Sequence, residues 1–211
     1  MAKATICPTV MGSTEEEYRS QIQTVTEFAT RIHIDLADGD LAPTKLIAID
    51  KVWWPGGVRA DLHVMYRRPM EHIAELIALA PQLIIAHAEA EGDFALFAEA
   101  LHNRGIEVGV ALQAKTPVDV IQNALYLIDH VLIFSGDLGH FGGTADLKLL
   151  EKVKTLKHLK PQLEIGWDGG VNAQNARQLA ESGIDVLNIG GFIHNSPNPQ
   201  NSYQKLVFEL K

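Results

Sequence analysis

Four side chains stand out by type and spacing. RIHIDLAD (31–38) carries His33 and Asp35 two residues apart, ADLHVM (60–65) carries His63, and LEIGWDGG (163–170) places Asp168 just ahead of a glycine pair. Residues two apart on a strand share a face, so His33 and Asp35 project together while Ile32, Ile34 and Leu36 project the other way. Two imidazoles and two carboxylates form a sound ligand set for a divalent transition metal. A single inward histidine is more often a hydrogen-bonded core residue than a ligand. Four such groups gathered at one end of one fold are much harder to explain as packing.

The elements that would gather them follow from the pattern of the rest of the chain. Short apolar runs at 4–11, 31–38, 60–65, 82–89, 107–112, 130–135, 163–169 and 185–191 read as strands. Between most of them lie amphipathic, helix-like stretches: 13–30, 69–80, 93–104, 117–126, 145–159, 173–182 and 198–210. Residues 41–60, with Pro43, Pro55, Gly56 and Gly57, leave room only for a short helix. No low-complexity linker or charge block marks a boundary, so residues 1–211 are expected to form one α/β domain, a single (β/α)8 TIM barrel. An open doubly wound sheet is the competing arrangement. Glycines after the sixth, seventh and eighth strands favour the barrel, because barrel enzymes often bind phosphate in their last loops. In a barrel, Ile32, Ile34, Leu36, Leu62 and Val64 face the helices. His33, Asp35, Asp61, His63, Met65, Glu164 and Asp168 then face the axis.

The pieces IHIDLADGD, DLHVM, IIAHAEA, FGG, WDGGVNA and NIGGFI follow one another in this order along the chain. The sequence thereby resembles the ribulose-phosphate 3-epimerases, which show forms such as HVDVMDG, DVHLM, HVEA, GFGGQ, VDGGV and AGSAIF. The resemblance runs from Ile6-Cys7-Pro8-Thr9, similar to a P-S-I-L start, to the eighth strand. It implies a TIM barrel with one divalent metal ion per chain, held at His33, Asp35, His63 and Asp168. Zinc is the first choice, with iron or manganese as alternatives. It also implies that Asp35 and Asp168 are the acid and the base.

That implied chemistry suits the residues. Epimerisation beside a carbonyl removes a proton from one face of C3 and returns one to the other, which requires two proton carriers on opposite faces. A metal ligating O2 and O3 would stabilise the enediolate as a Lewis acid. The expected reaction is therefore the metal-dependent 3-epimerisation of a ketose phosphate, with D-ribulose 5-phosphate and D-xylulose 5-phosphate the default pair. Another ketose phosphate such as allulose 6-phosphate, or a non-catalytic sugar-phosphate-binding barrel, is the alternative. A lyase or decarboxylase of a related barrel would want a lysine at the reacting centre, and IHIDLADGD and DLHVM contain none.

The expected substrate contacts are Thr9, His63 and Met65 near the reacting carbons, and Gly142, Gly143, Gly169, Gly170, Gly190 and Gly191 toward the phosphate. Backbone amides at such glycines can cradle a dianion, although tight turns use glycine equally. His87 and Glu89, matching the family's HVEA, are expected inward on the fourth strand, as outer support or in direct contact. Trp53-Trp54-Pro55 reads first as packing. Departures from the family cluster around the substrate-enclosing loops. Ala37 and Phe134 stand where the family has methionines, GDLGHFGGT replaces N-P-G-F-G-G-Q, and Gly191 replaces a serine. His140, in the altered loop, is the candidate for the missing phosphate contact.

Composition narrows the field further. The 211 residues are 46% hydrophobic and 21% charged, ordinary values for a chain with a sizeable core. A net charge of −8 leaves no broad basic surface for nucleic acid or an anionic membrane. Cys7 is the only cysteine, which rules out an intramolecular disulfide and suits a reducing compartment. MAKATICPTV has too short an apolar run for a signal peptide, and no segment approaches a membrane span. The expectation is a cytoplasmic homo-oligomer acting on a phosphorylated ketose, with no nucleic-acid or membrane partner.

Overall fold

The computed structural model describes residues 4–140 and 142–211. Eight parallel strands close into a barrel in sequence order: β1 (Thr5–Val10), β2 (Arg31–Ala37), β3 (Arg59–Met65), β4 (Leu83–His87), β5 (Glu107–Leu112), β6 (His130–Phe134), β7 (Glu164–Asp168) and β8 (Val186–Ile189). The open-sheet alternative is thereby excluded, because β8 pairs with β1 from Thr5↔Val186 to Pro8↔Ile189. Among the described residues, seven α-helices pack outside: α1 (Glu15–Thr26), α2 (Ile73–Ala78), α3 (Phe94–His102), α4 (Leu150–Leu159), α5 (Ala176–Glu181), α6 (Gly191–His194) and α7 (Pro199–Glu209). No helix of the described residues is long and apolar enough to cross a membrane.

Side-chain caps account for the starts of three helices. Thr14 caps α1 by accepting from the Glu17 amide, while the Glu17 carboxylate accepts from the Ser13 amide at 2.9 Å. Asp93 caps α3 through the amides of Ala95 and Leu96, and Asn198 caps α7 ahead of Pro199. One expected helix takes a different form. Residues 117–126 were expected to be helical by apolar spacing, but Val118–Leu127 runs as 3-10 turns. Val118, Ile121 and Leu125 are buried at spacings of three and four, as an α-helix would place them, but the backbone winds more tightly and no side chain caps the start at Pro117. The short α6 was not anticipated, because four residues leave no periodicity to read.

The two faces of each strand divide as expected. Ile32, Ile34, Leu36, Leu62 and Val64 are fully buried against the helices. Trp54 packs against that same layer, whereas Trp53 is partly exposed and its carbonyl accepts from the Tyr18 hydroxyl at 2.8 Å.

Inside the barrel three levels can be distinguished along the axis. At the amino-terminal end, Arg31 Nε donates to Asp61 at 2.7 Å, and its two terminal nitrogens grip both Glu164 oxygens at 2.9 and 2.8 Å. His130 Nδ1 joins the same Glu164 carboxylate at 2.8 Å. Above this polar plug lies an apolar cluster of Leu83, Ile85, Ala111 and Leu132. The carboxyl-terminal end holds His33, Asp35, His63, His87 and Asp168.

Candidate active site and metal centre

The strand register brings the sequence-predicted groups together. Asp35 pairs with His63 across β2 and β3, and Asp168 pairs with Phe134 and Asn188 on its two sides. One donor atom each from His33, Asp35, His63 and Asp168 can be chosen so that all lie within 4.8 Å of one another. His63 Nδ1 is 2.8 Å from Asp35 Oδ1 and 3.9 Å from Asp168 Oδ2, and His33 Nε2 is 3.3 and 3.7 Å from the same oxygens. Ligands of a tetrahedral zinc at 2.0–2.1 Å stand about 3.3 Å apart, so the four atoms are near enough to converge on one ion with small shifts.

The hydrogen bonding fits a cation as well. Neither ring nitrogen of the fully buried His33 has a hydrogen-bond partner among the described residues. His63 is held from behind: its Nε2 lies 2.8 Å from His87 Nε2, and His87 Nδ1 lies 3.1 Å from Glu89 Oε2. Glu89 is also bonded by the Thr116 hydroxyl. Burial opposes ionisation of Glu89, but the bonds from His87 and Thr116 outweigh it and hold the carboxyl down at about 2. An ionised Glu89 accepts from His87 Nδ1–H, which makes His87 Nε2 the acceptor and His63 Nε2–H the donor. His63 Nδ1 then faces Asp35, and that contact needs either a second proton on His63 or a metal cation.

Electrostatics separates the two aspartates. Burial works against a charged Asp35, yet His33 and His63 outweigh it and hold its carboxyl well below the usual carboxylate range. Burial and the like charge of Asp35 instead raise Asp168 to about 6, with His33 and His63 tempering the rise. For His33, burial opposes protonation but the surrounding carboxylates prevail and raise its pKa. The cluster as a whole attracts positive charge.

A cavity of about 240 Å3 opens above these groups, with Asp35, Asp168, Thr9, Met65 and Phe134 at its base. Gly142, Gly143, Gly169, Gly170, Gly190 and Gly191 line its rim, as does His140. Phe141, part of the FGG piece, lies outside the described residues. His63, an expected substrate contact, is fully buried, with its ring nitrogens facing Asp35 and His87. Glu89 lies in the turn beyond the end of β4 rather than on the strand.

Gly169 and Gly170 also have a steric role. At φ +106° and +70°, a Cβ on either would stand 2.3 Å from the Gly136 nitrogen or 2.1 Å from the Ala145 nitrogen. They let the loop after β6 lie directly on the loop after β7. Asn188, Asn172 and Asn195 also line the cavity and were missed by sequence reading. The only signal for Asn188 was its inward register on β8, two residues after Val186.

A sequence profile of the Ribulose-phosphate 3 epimerase family matches residues 5–194. The chain belongs to that family. This epimerase, an isomerase acting on carbohydrates, is 31% identical over 200 residues to the ribulose-phosphate 3-epimerase of Helicobacter pylori strain 26695, covering 90% of this chain and 91% of that one. It is 27% identical over 216 residues to the ribulose-phosphate 3-epimerase of Bacillus subtilis, covering 98% and 97% of the two chains. Among solved structures, a mutant tryptophan synthase alpha-subunit of Pyrococcus furiosus superposes on the epimerase with a TM-score of 0.71 at 14% identity, covering 100% and 99%. The 3-hexulose-6-phosphate synthase of Salmonella typhimurium gives 0.67 at 14%, covering 97% of each chain. At that identity these two likenesses concern the barrel fold alone.

Proposed function

We propose that the protein interconverts D-ribulose 5-phosphate and D-xylulose 5-phosphate in the cytoplasm, with Asp35 and Asp168 as the proton carriers. The observation that carries this reading is the placement of two carboxylates, the buried Asp35 from β2 and the largely buried Asp168 from β7, at the base of one cavity. Inversion beside a carbonyl takes a proton from one face of the carbon and delivers one to the other. Two carboxyls that differ in proton affinity can begin as one base and one acid, and they exchange roles between the two epimers. Mere binding of a sugar phosphate would not call for such a pair.

His33, Asp35, His63 and Asp168 would hold one divalent metal ion, zinc by first choice and iron or manganese otherwise. Such an ion supplies Lewis-acid stabilisation of the negative charge that develops on the substrate oxygens. His33 and His63, fully buried, fix that end of the site, while Met65 and Phe134 keep water from the reacting carbon. The glycine-lined rim at 142–143, 169–170 and 190–191 offers backbone amides to the phosphate.

Deuterium incorporation at C3 in heavy water tests the reading, with D-ribulose 5-phosphate and a hexulose 6-phosphate run side by side. The pentulose phosphate should exchange and yield its C3 epimer. Asp35→Asn and Asp168→Asn should each lower the rate by about 10²–10⁴-fold or more, the usual weight of a general acid or base. Near wild-type exchange in either variant would remove the two-carboxylate mechanism. Exclusive exchange of the hexulose phosphate would change the substrate.

A further inference from the structure

Asn188 is an inward side chain of β8 with only 2% of its surface exposed, and it sits at the base of the cavity. Neither its amide nitrogen nor its amide oxygen has a hydrogen-bond partner among the described residues. Its neighbours on β8 show the alternation: Leu187 and Ile189 pack outward into the core, whereas Val186 takes the inward position below it. An apolar residue like Val186 would fill position 188 without penalty. A buried amide with both ends unsatisfied is costly unless something polar enters beside it.

The register shows what could enter. Asn188 pairs directly with Asp168, and Gly190 follows two residues later along the same strand at the cavity rim. A ketose phosphate with its reacting carbon at Asp168 and its phosphate at Gly190-Gly191 must therefore run past Asn188. The first oxygen beyond the reacting carbon in that direction is the hydroxyl on C4. A hydroxyl donates once and accepts, and a side-chain amide offers the matching acceptor and donor. Thr9, on the neighbouring strand β1, presents a second unpartnered oxygen to the same cavity.

We propose that Asn188 is a specificity-determining residue that recognises the C4 hydroxyl of the ketose phosphate through both ends of its amide. The proposal rests on the epimerase reading given above. It makes this protein selective for chains hydroxylated at the carbon next to the reacting one. A site built to hydrogen-bond a hydroxyl rejects the analogue that lacks it, because the buried amide is then left unpaired.

The experiment uses the metal-loaded full chain. C3 deuterium exchange is measured on D-ribulose 5-phosphate and on its 4-deoxy analogue, for wild type, Asn188→Leu and the smaller Asn188→Ser. Melting temperature and bound metal are recorded for each. Wild type should prefer the hydroxylated substrate by about tenfold or more. Asn188→Leu should lose about tenfold or more in kcat/KM on that substrate and little on the 4-deoxy compound, with bound metal unchanged. Should the leucine variant fail to fold, Asn188→Ser carries the same comparison. Equal losses on both compounds, or no loss on either, would overturn the assignment and leave Asn188 a structural amide. A wild type inactive on both compounds would overturn the epimerase reading itself, and this proposal with it.

Discussion

His63 Nε2 and His87 Nε2 lie 2.8 Å apart, so the two rings share one hydrogen bond and one of them must donate it. Glu89 decides which. Its carboxylate accepts a hydrogen bond from His87 Nδ1–H, and the donor role passes to His63 Nε2, leaving His63 Nδ1 directed at Asp35. The chain of three residues holds the inner imidazole in the tautomer and the orientation that a metal ligand needs.

Breaking this chain should weaken metal binding without removing a ligand. Glu89→Gln and His87→Ala are expected to lower metal affinity by about 10–100-fold, the usual range for groups that orient a ligating histidine. Removing a ligand directly, as in His33→Ala or His63→Ala, should lose the metal altogether. Competition with a chelator, followed by elemental analysis of the protein, separates the two cases. Unchanged affinity in Glu89→Gln would show that His63 keeps its tautomer without help.

At the opposite end of the barrel the Arg31 network should make stability depend on acid. Burial opposes ionisation of Glu164, but Arg31 and then His130 outweigh it and push its carboxyl far below the ordinary value of 4.5. A depressed pKa contributes stability that is fully present above the unfolded value. That contribution drains away as pH falls from about 4.5 toward the lower folded value. Glu164→Gln should lower stability near neutral pH by about 1–2 kcal/mol, less than a fully buried pair because the Glu164 side chain stays 35% exposed. The same variant should flatten the loss of melting temperature below pH 4.5. A profile parallel to wild type would assign that acid sensitivity to other carboxylates.

His140 should act on the phosphate and not on the chemistry. It lies at the cavity rim beside Gly139, Gly142 and Gly143, away from the buried cluster. His140→Ala is expected to raise KM for a phosphorylated ketose, by about 10–150-fold if a hydrogen bond to a charged group is lost. The slow reaction of an unphosphorylated ketose should stay as it was. Equal losses on both substrates would move His140 into the reaction, and no loss on either would leave the loop as plain architecture.

Much of this molecule is legible along the chain. Alternation in RIHIDLAD and ADLHVM is a local property, since successive strand residues point to opposite faces whatever the sheet does next. It was enough to place His33, Asp35 and His63 inward and Ile32, Ile34 and Leu36 outward, as they stand. Strand positions and helix caps were likewise within reach of short-range pattern and side-chain chemistry. Over Val118–Leu127 the same kind of reasoning went astray, because the buried Val118, Ile121 and Leu125 keep the spacing of an α-helix while the backbone between them winds as 3-10 turns.

Relations between distant strands are another matter. The clasp of Arg31 on Glu164 spans 133 residues, and the close approach of Gly170 to Ala145 is created by two loops that meet only after the barrel has closed. Nothing local to VLNIGG marks Asn188 as an amide without partners, and nothing in HAEA shows which ring N–H His87 donates. Periodicity says which way a side chain faces. What it meets there depends on strand register and on closure of β8 against β1, and these arise from contacts far apart in sequence.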